Sequence, residues 1–124
     1  MVLASSNSWV TCPKPNPQAN LRLFCFPYAG GGALNFRSWP KQLPSTIEVC
    51  PIELPGRGMR LNESPFTQLT LLAEGIAQSL LPYLNKPFVF LGHSMGGLTS
   101  FEVARSLRRI QACSPKHLFV SGRR

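Results

Sequence analysis

The 124-residue sequence contains no aspartate; its five acidic residues are all glutamates, set against 13 lysines and arginines. The resulting net charge of +8 calls for an acidic counterpart. Its basic residues are scattered and not interleaved with aromatics, which argues for an acidic protein partner and against nucleic acid. No apolar run approaches the roughly 18 residues that span a bilayer, so no membrane segment is expected. Met1 to Gln18 has neither a basic start nor a continuous apolar stretch, so no signal peptide is read and the expected compartment is the cytoplasm. The four cysteines show no Cys-x-x-Cys spacing, which leaves no basis for a metal cluster or a disulfide framework. Cys25 and Cys50 stand inside apolar runs, as small buried hydrophobes do. Nucleotide-binding signatures of the Gly-x-Gly-x-x-Gly or Lys-Ser/Thr type are missing as well.

What is present is a globular composition, 44% hydrophobic and 15% charged, enough for one domain. Residues 1–20 are rich in Ser, Asn and Pro, with Pro13, Pro15 and Pro17 in alternation. Proline fixes φ and withholds a donor, so this stretch reads as an extended surface leader that Trp9 packs down. From residue 21 onward strand and helix patterns alternate. Leu21–Phe26 is a buried strand, followed by a Gly-rich loop and a helix around Ala33 to Lys41. Thr46–Ile52 is a second strand. From Thr67 to Leu84 apolar residues recur at three- and four-residue steps, the pattern of an amphipathic helix. Phe88–Leu91 is a third strand, Met95 to about Arg109 a third helix, and His117–Ser121 a fourth strand. This alternation predicts an α/β fold, a parallel sheet with helices on both faces.

The chain is organised around Phe88 to Gly97. A short apolar strand ends in Gly92-His93-Ser94-Met95-Gly96 and a helix follows, the strand–turn–helix context that a Gly-x-Ser-x-Gly nucleophile elbow requires. Gly92 and Gly96 lack side chains because so tight a turn brings backbone close to backbone. The helix beginning at Met95 turns its N–H groups and the positive end of its dipole toward Ser94, where an oxyanion could be held. The alternative is a Gly-rich turn that binds a phosphate at the helix N-terminus. Upstream, Pro27-Tyr28-Ala29-Gly30-Gly31-Gly32 is either a flexible turn or the second half of an oxyanion hole, where glycines keep side chains away from the amides. The loop Leu54-Pro55-Gly56-Arg57-Gly58-Met59-Arg60 carries two arginines. Arg57 and Arg60 are either solvated or contacts for an anionic group such as a phosphate.

Four stretches in order, Leu23–Gly31, Leu54–Arg57, Gly92–Gly96 and His117–Arg124, resemble the type II (stand-alone) thioesterases of nonribosomal peptide and polyketide biosynthesis. The resemblance runs from about Trp9 to Arg124. It implies an α/β-hydrolase fold, truncated after the strand that follows the elbow helix, with residues 21–124 as the N-terminal half of the domain. It implies Ser94 as nucleophile and the N–H groups of Met95 and Ala29 as the oxyanion hole. It further implies an acyl or peptidyl carrier protein as partner, a substrate held on its phosphopantetheine arm, and no cofactor or metal of the enzyme's own. Triad members follow the order Ser, Asp/Glu, His in such enzymes. After Ser94 only Glu102 and His117 are available, and neither Glu102 on the helix, His117 at the strand's start, nor His93 beside the serine is placed as a base. The chain alone is therefore expected to be inactive. Two other readings stand beside this one: a non-catalytic fragment that docks with a complementary C-terminal chain, and a carboxylesterase-type serine hydrolase.

Overall fold

The structure, a computed structural model, describes residues 9–10, 16–27, 36, 38–53, 69–110 and 113–121. Its frame is a four-stranded parallel sheet formed by β1 (Leu21–Phe26), β2 (Ile47–Pro51), β3 (Phe88–His93) and β4 (Leu118–Ser121), in the order β2-β1-β3-β4. Among the described residues three α-helices connect them: α1 (Trp39–Gln42), α2 (Leu69–Leu80) and α3 (Met95–Arg109).

Strand residues alternate between the two faces, and β1 shows the consequence. Phe24 and Phe26 join Phe88 and Phe90 of β3 under α2 and α3, while Leu23 and Cys25 join Val49, Val89 and Phe36 on the opposite face. The aromatic side is locked by edge-on contacts, with Phe26 and Phe90 centroids 4.9 Å apart at 67°. The rings of Phe24 and Phe90 lie 6.1 Å apart at 79°. Such pairs add to the burial energy of each ring.

Helix α2 buries Leu72, Ala73, Ile76, Ala77 and Leu80, the stripe the sequence pattern predicts. Its regular turns stop at Leu80 and a 3₁₀ turn follows over Leu81–Tyr83, because Pro82 has no N–H to continue the ladder. Helix α3 buries Val103 and Leu107 against the same core and ends on Arg108 and Arg109, cations that favour the negative end of the helix dipole. Among the described residues the helix expected around Ala33 to Lys41 is one turn, Trp39–Gln42, with Trp39 packed on the second face. Val10 is buried and pairs antiparallel with Ile52, so residue 10 of the leader is part of the core.

At the N-terminal ends of the strands a polar clasp joins four segments. Arg22 donates from Nε to Glu48 Oε1 (2.9 Å) and from Nη1 to Tyr83 O (2.7 Å) and Asn85 Oδ1 (2.6 Å). The Asn16 N–H donates to Glu48 Oε2 at 3.2 Å, and Lys86 Nζ donates to Pro17 O at 3.2 Å. The opposite, C-terminal ends carry the candidate site. There the chain leaves β1 toward β2 on one side and β3 toward β4 on the other, which opens a crevice between neighbouring strands.

Candidate active site

Ser94 sits between β3 and α3 with φ 57° and ψ −120°, and among the described residues it alone, glycine aside, has positive φ. Backbone in such a region costs about 1 to 3 kcal/mol and persists only where the surroundings hold it. Two hydrogen bonds do so. The Ser94 N–H donates to Ser121 O at 2.7 Å, and the Gly97 N–H donates to Ser94 O at 2.9 Å. One fixes the peptide plane before the serine and the other the plane after it.

The glycines flanking the serine are required by contact. A Cβ on Gly92 would lie 2.3 Å from Gly96 O, and one on Gly96 would lie 2.2 Å from Phe26 O and 2.7 Å from Pro27 O. The elbow therefore rests against the end of β1, where the chain enters the Gly-rich loop. Met95 opens α3 and is exposed; the first N–H groups of a helix have no intrahelical acceptor. A cleft of about 640 Å³ lies beside Ser94, lined by Met95, Leu98 and Phe101 of α3 and by Leu118 and Val120 of β4. Its walls are apolar and open: Leu98 is 55% and Phe101 50% exposed.

Of the residues named from sequence, Gly92, Ser94, Met95 and Gly96 are brought together at this turn. Ala29, Arg57 and Arg60 lie outside the described residues. Glu102 pairs with Arg105 at 3.3 Å on α3. His117 precedes β4 at the far end of the sheet, its carbonyl accepting from the Phe90 N–H at 3.1 Å. His93 places Nδ1 3.1 Å from Ser121 Oγ. The role of Ser121 in this contact was not foreseen from sequence. The signal was the register of two parallel strands, which sets Ser121 opposite His93.

Among the described residues no group of three or more His, Cys or Glu could hold a metal ion. Cys25 is buried and free, Cys50 is buried, and Cys113 is exposed and free. Burial alone pushes the Cys25 thiol up to about 12. No described helix is long and apolar enough to cross a membrane.

Comparison with known proteins agrees with this geometry. The family model "Thioesterase domain" matches residues 21–124. The gramicidin S biosynthesis protein GrsT of Aneurinibacillus migulanus is 50% identical over 121 residues, 98% of this chain and 47% of that protein. The thioesterase RedJ of the prodiginine pathway in Streptomyces coelicolor superposes with a TM-score of 0.81 at 50% identity, covering 86% of this chain and 40% of RedJ. The type II thioesterase BorB of the borrelidin cluster gives a TM-score of 0.85 at 32% identity, covering 95% of this chain and 50% of BorB. The chain thus spans about half the length of the relatives it matches. Its sheet and helices are those of the α/β-hydrolase fold, in part. With the match extending over residues 21–124, the chain belongs to the thioesterase-domain family, alongside type II thioesterases of nonribosomal peptide and polyketide pathways.

Proposed function

We propose that this chain carries the nucleophile and oxyanion-binding part of a serine thioesterase that clears acyl or aminoacyl groups from the phosphopantetheine arms of carrier proteins. The observation that carries the reading is the backbone at Ser94, held at φ 57° between two glycines that admit no Cβ. A turn of that cost is maintained where it presents a side chain for chemistry.

In this reading Ser94 Oγ attacks the thioester carbonyl carbon and passes its proton to a base. The tetrahedral oxyanion takes hydrogen bonds from the N–H groups of Met95 and Ala29, each worth roughly 3 to 4 kcal/mol of barrier. The C–S bond then breaks, the phosphopantetheine sulfur leaves as the thiol, and water cleaves the acyl-enzyme. Arg57 and Arg60 are assigned to the phosphate of the arm. The net charge of +8 suits an acidic carrier. The enzyme uses no cofactor and works in the cytoplasm.

Among the described residues Glu102 and His93 are engaged with Arg105 and Ser121, and His117 lies at the far end of the sheet, so we assign the base to a residue outside this set. The exposed apolar faces of Leu98, Phe101 and Phe119, with β4 at the edge of the sheet among the described residues, favour a complementary segment, in the same polypeptide or a second chain, as its source. Without that segment the chain is a docking element with little turnover.

Hydrolysis rates of acyl-carrier thioesters and p-nitrophenyl esters, measured with and without a complementary C-terminal segment, test the proposal. It expects turnover only with the segment and a preference for the carrier thioester. Preference for the simple ester would favour a carboxylesterase instead, and turnover by the chain alone would remove the need for a partner segment.

A further inference from the structure

We propose that Ser121 is the positioning residue for Ser94: its carbonyl holds the Ser94 N–H while its hydroxyl, bonded to the His93 ring, keeps that carbonyl in place. The inference rests on Ser94 as the nucleophile. Ser121 is the last residue of β4 and stands opposite His93 in the parallel register. It therefore meets two consecutive residues of the elbow strand, Ser94 through its main chain (2.7 Å) and His93 through its side chain (3.1 Å).

The two contacts have different consequences. The main-chain bond fixes the peptide plane before Ser94, and with it the φ of 57° that aims the hydroxyl. Yet β4 is only four residues long and is an edge of the sheet among the described residues. Phe119, Val120 and Ser121 are exposed. A short edge strand opens more readily than a central one. The Oγ···Nδ1 contact ties this strand end directly to the central strand β3. Losing the hydroxyl loosens the Ser121 carbonyl, frees the peptide plane, and lets Ser94 relax from its strained turn. Ser121 touches no substrate in this account and acts through Ser94 alone.

The test compares the unchanged chain with Ser121→Ala, Ser121→Thr and His93→Leu, each together with a complementary C-terminal segment that supplies the base. Three quantities are read: the imidazole ¹⁵N shifts of His93, hydrogen exchange of the Ser94 amide, and phosphonylation of Ser94 by a fluorophosphonate probe. Ser121→Ala is expected to shift the His93 nitrogens and speed Ser94 exchange by about threefold to tenfold, the range for losing one hydrogen bond. It should lower the limiting phosphonylation rate by a similar factor and leave the half-saturating probe concentration unchanged. Ser121→Thr, which keeps the hydroxyl, restores all three. His93→Leu reproduces the exchange change, and the double variant with Ser121→Ala adds nothing further, so the proposal stays testable if one variant folds poorly. Unchanged Ser94 exchange in Ser121→Ala, or fully additive single effects, would overturn it. Equal phosphonylation of a Ser94→Ala chain would defeat the nucleophile reading separately, and the positioning role of Ser121 is then decided by the exchange rates.

Discussion

Gly96 and Phe26 are in backbone contact: a methyl group on Gly96 would stand 2.2 Å from the Phe26 carbonyl oxygen. The obstacle is main chain at the end of a central strand, which cannot turn aside as a flexible side chain can. Gly96→Ala must therefore push α3 off the sheet or distort β1. We expect a loss of about 3 kcal/mol or more, at the upper end for overpacking a tight core. A urea titration followed by far-ultraviolet circular dichroism measures it, and a loss below about 1 kcal/mol would mean that the elbow is looser than described.

The polar clasp at the other end of the sheet gives a second expectation. Glu48 is 5% exposed and Arg22 15% exposed at the side chain. Removing one partner strands a nearly buried charge, so Arg22→Ala should cost about 2 to 3 kcal/mol, discounted from a fully buried pair for the residual exposure. Replacing both, as Arg22→Met with Glu48→Leu, should cost less than either single change. Chemical denaturation of the three variants decides the point.

These two ends of the sheet differ in how readily the sequence reveals them. The strands follow from short apolar runs, and α3 begins at Met95 and ends at Arg109 as its pattern implies. The elbow is legible because a Gly-x-Ser-x-Gly turn needs its glycines at fixed offsets. The clasp is invisible in sequence, since Arg22, Glu48 and Asn85 are brought together only by the order β2-β1-β3. The same holds for Ser121, whose meeting with His93 depends on strand register. Val10 sits in a proline-rich stretch with a surface composition, yet its pairing with Ile52 buries it through one β-branched side chain. Local pattern reports elements, and contacts between distant elements require the fold.

The thiols should separate by burial. Cys113 is expected to react with iodoacetamide in the folded chain, while Cys25 and Cys50 react only after unfolding. Peptide mass mapping after a short exposure checks this. The Cys25 thiol is raised from 9.0 to about 12 by burial. Between about pH 9 and 12 the unfolded chain therefore releases a proton that the folded chain keeps. Its contribution to stability is complete below pH 9 and declines as pH rises through that window. Denaturation midpoints should fall less steeply with alkaline pH in Cys25→Ala than in the unchanged chain.

The open faces beside Ser94 predict self-association. Leu98, Phe101, Phe119 and Val120 are each 44% exposed or more, and exposed apolar patches of this kind favour sticking between chains. Leu98→Glu with Phe101→Lys should leave the unfolding midpoint nearly unchanged and reduce association. Sedimentation velocity at several concentrations reads both the species present and their concentration dependence.

The central claim, that Ser94 is the attacking group, is tested most directly by mapping where a fluorophosphonate probe attaches. The chain is treated together with a complementary C-terminal segment, digested, and its peptides are identified by mass. The account predicts the phosphonyl group on Ser94 and none on a Ser94→Ala chain. A label on another serine, with Ser94 unmodified, would contradict it.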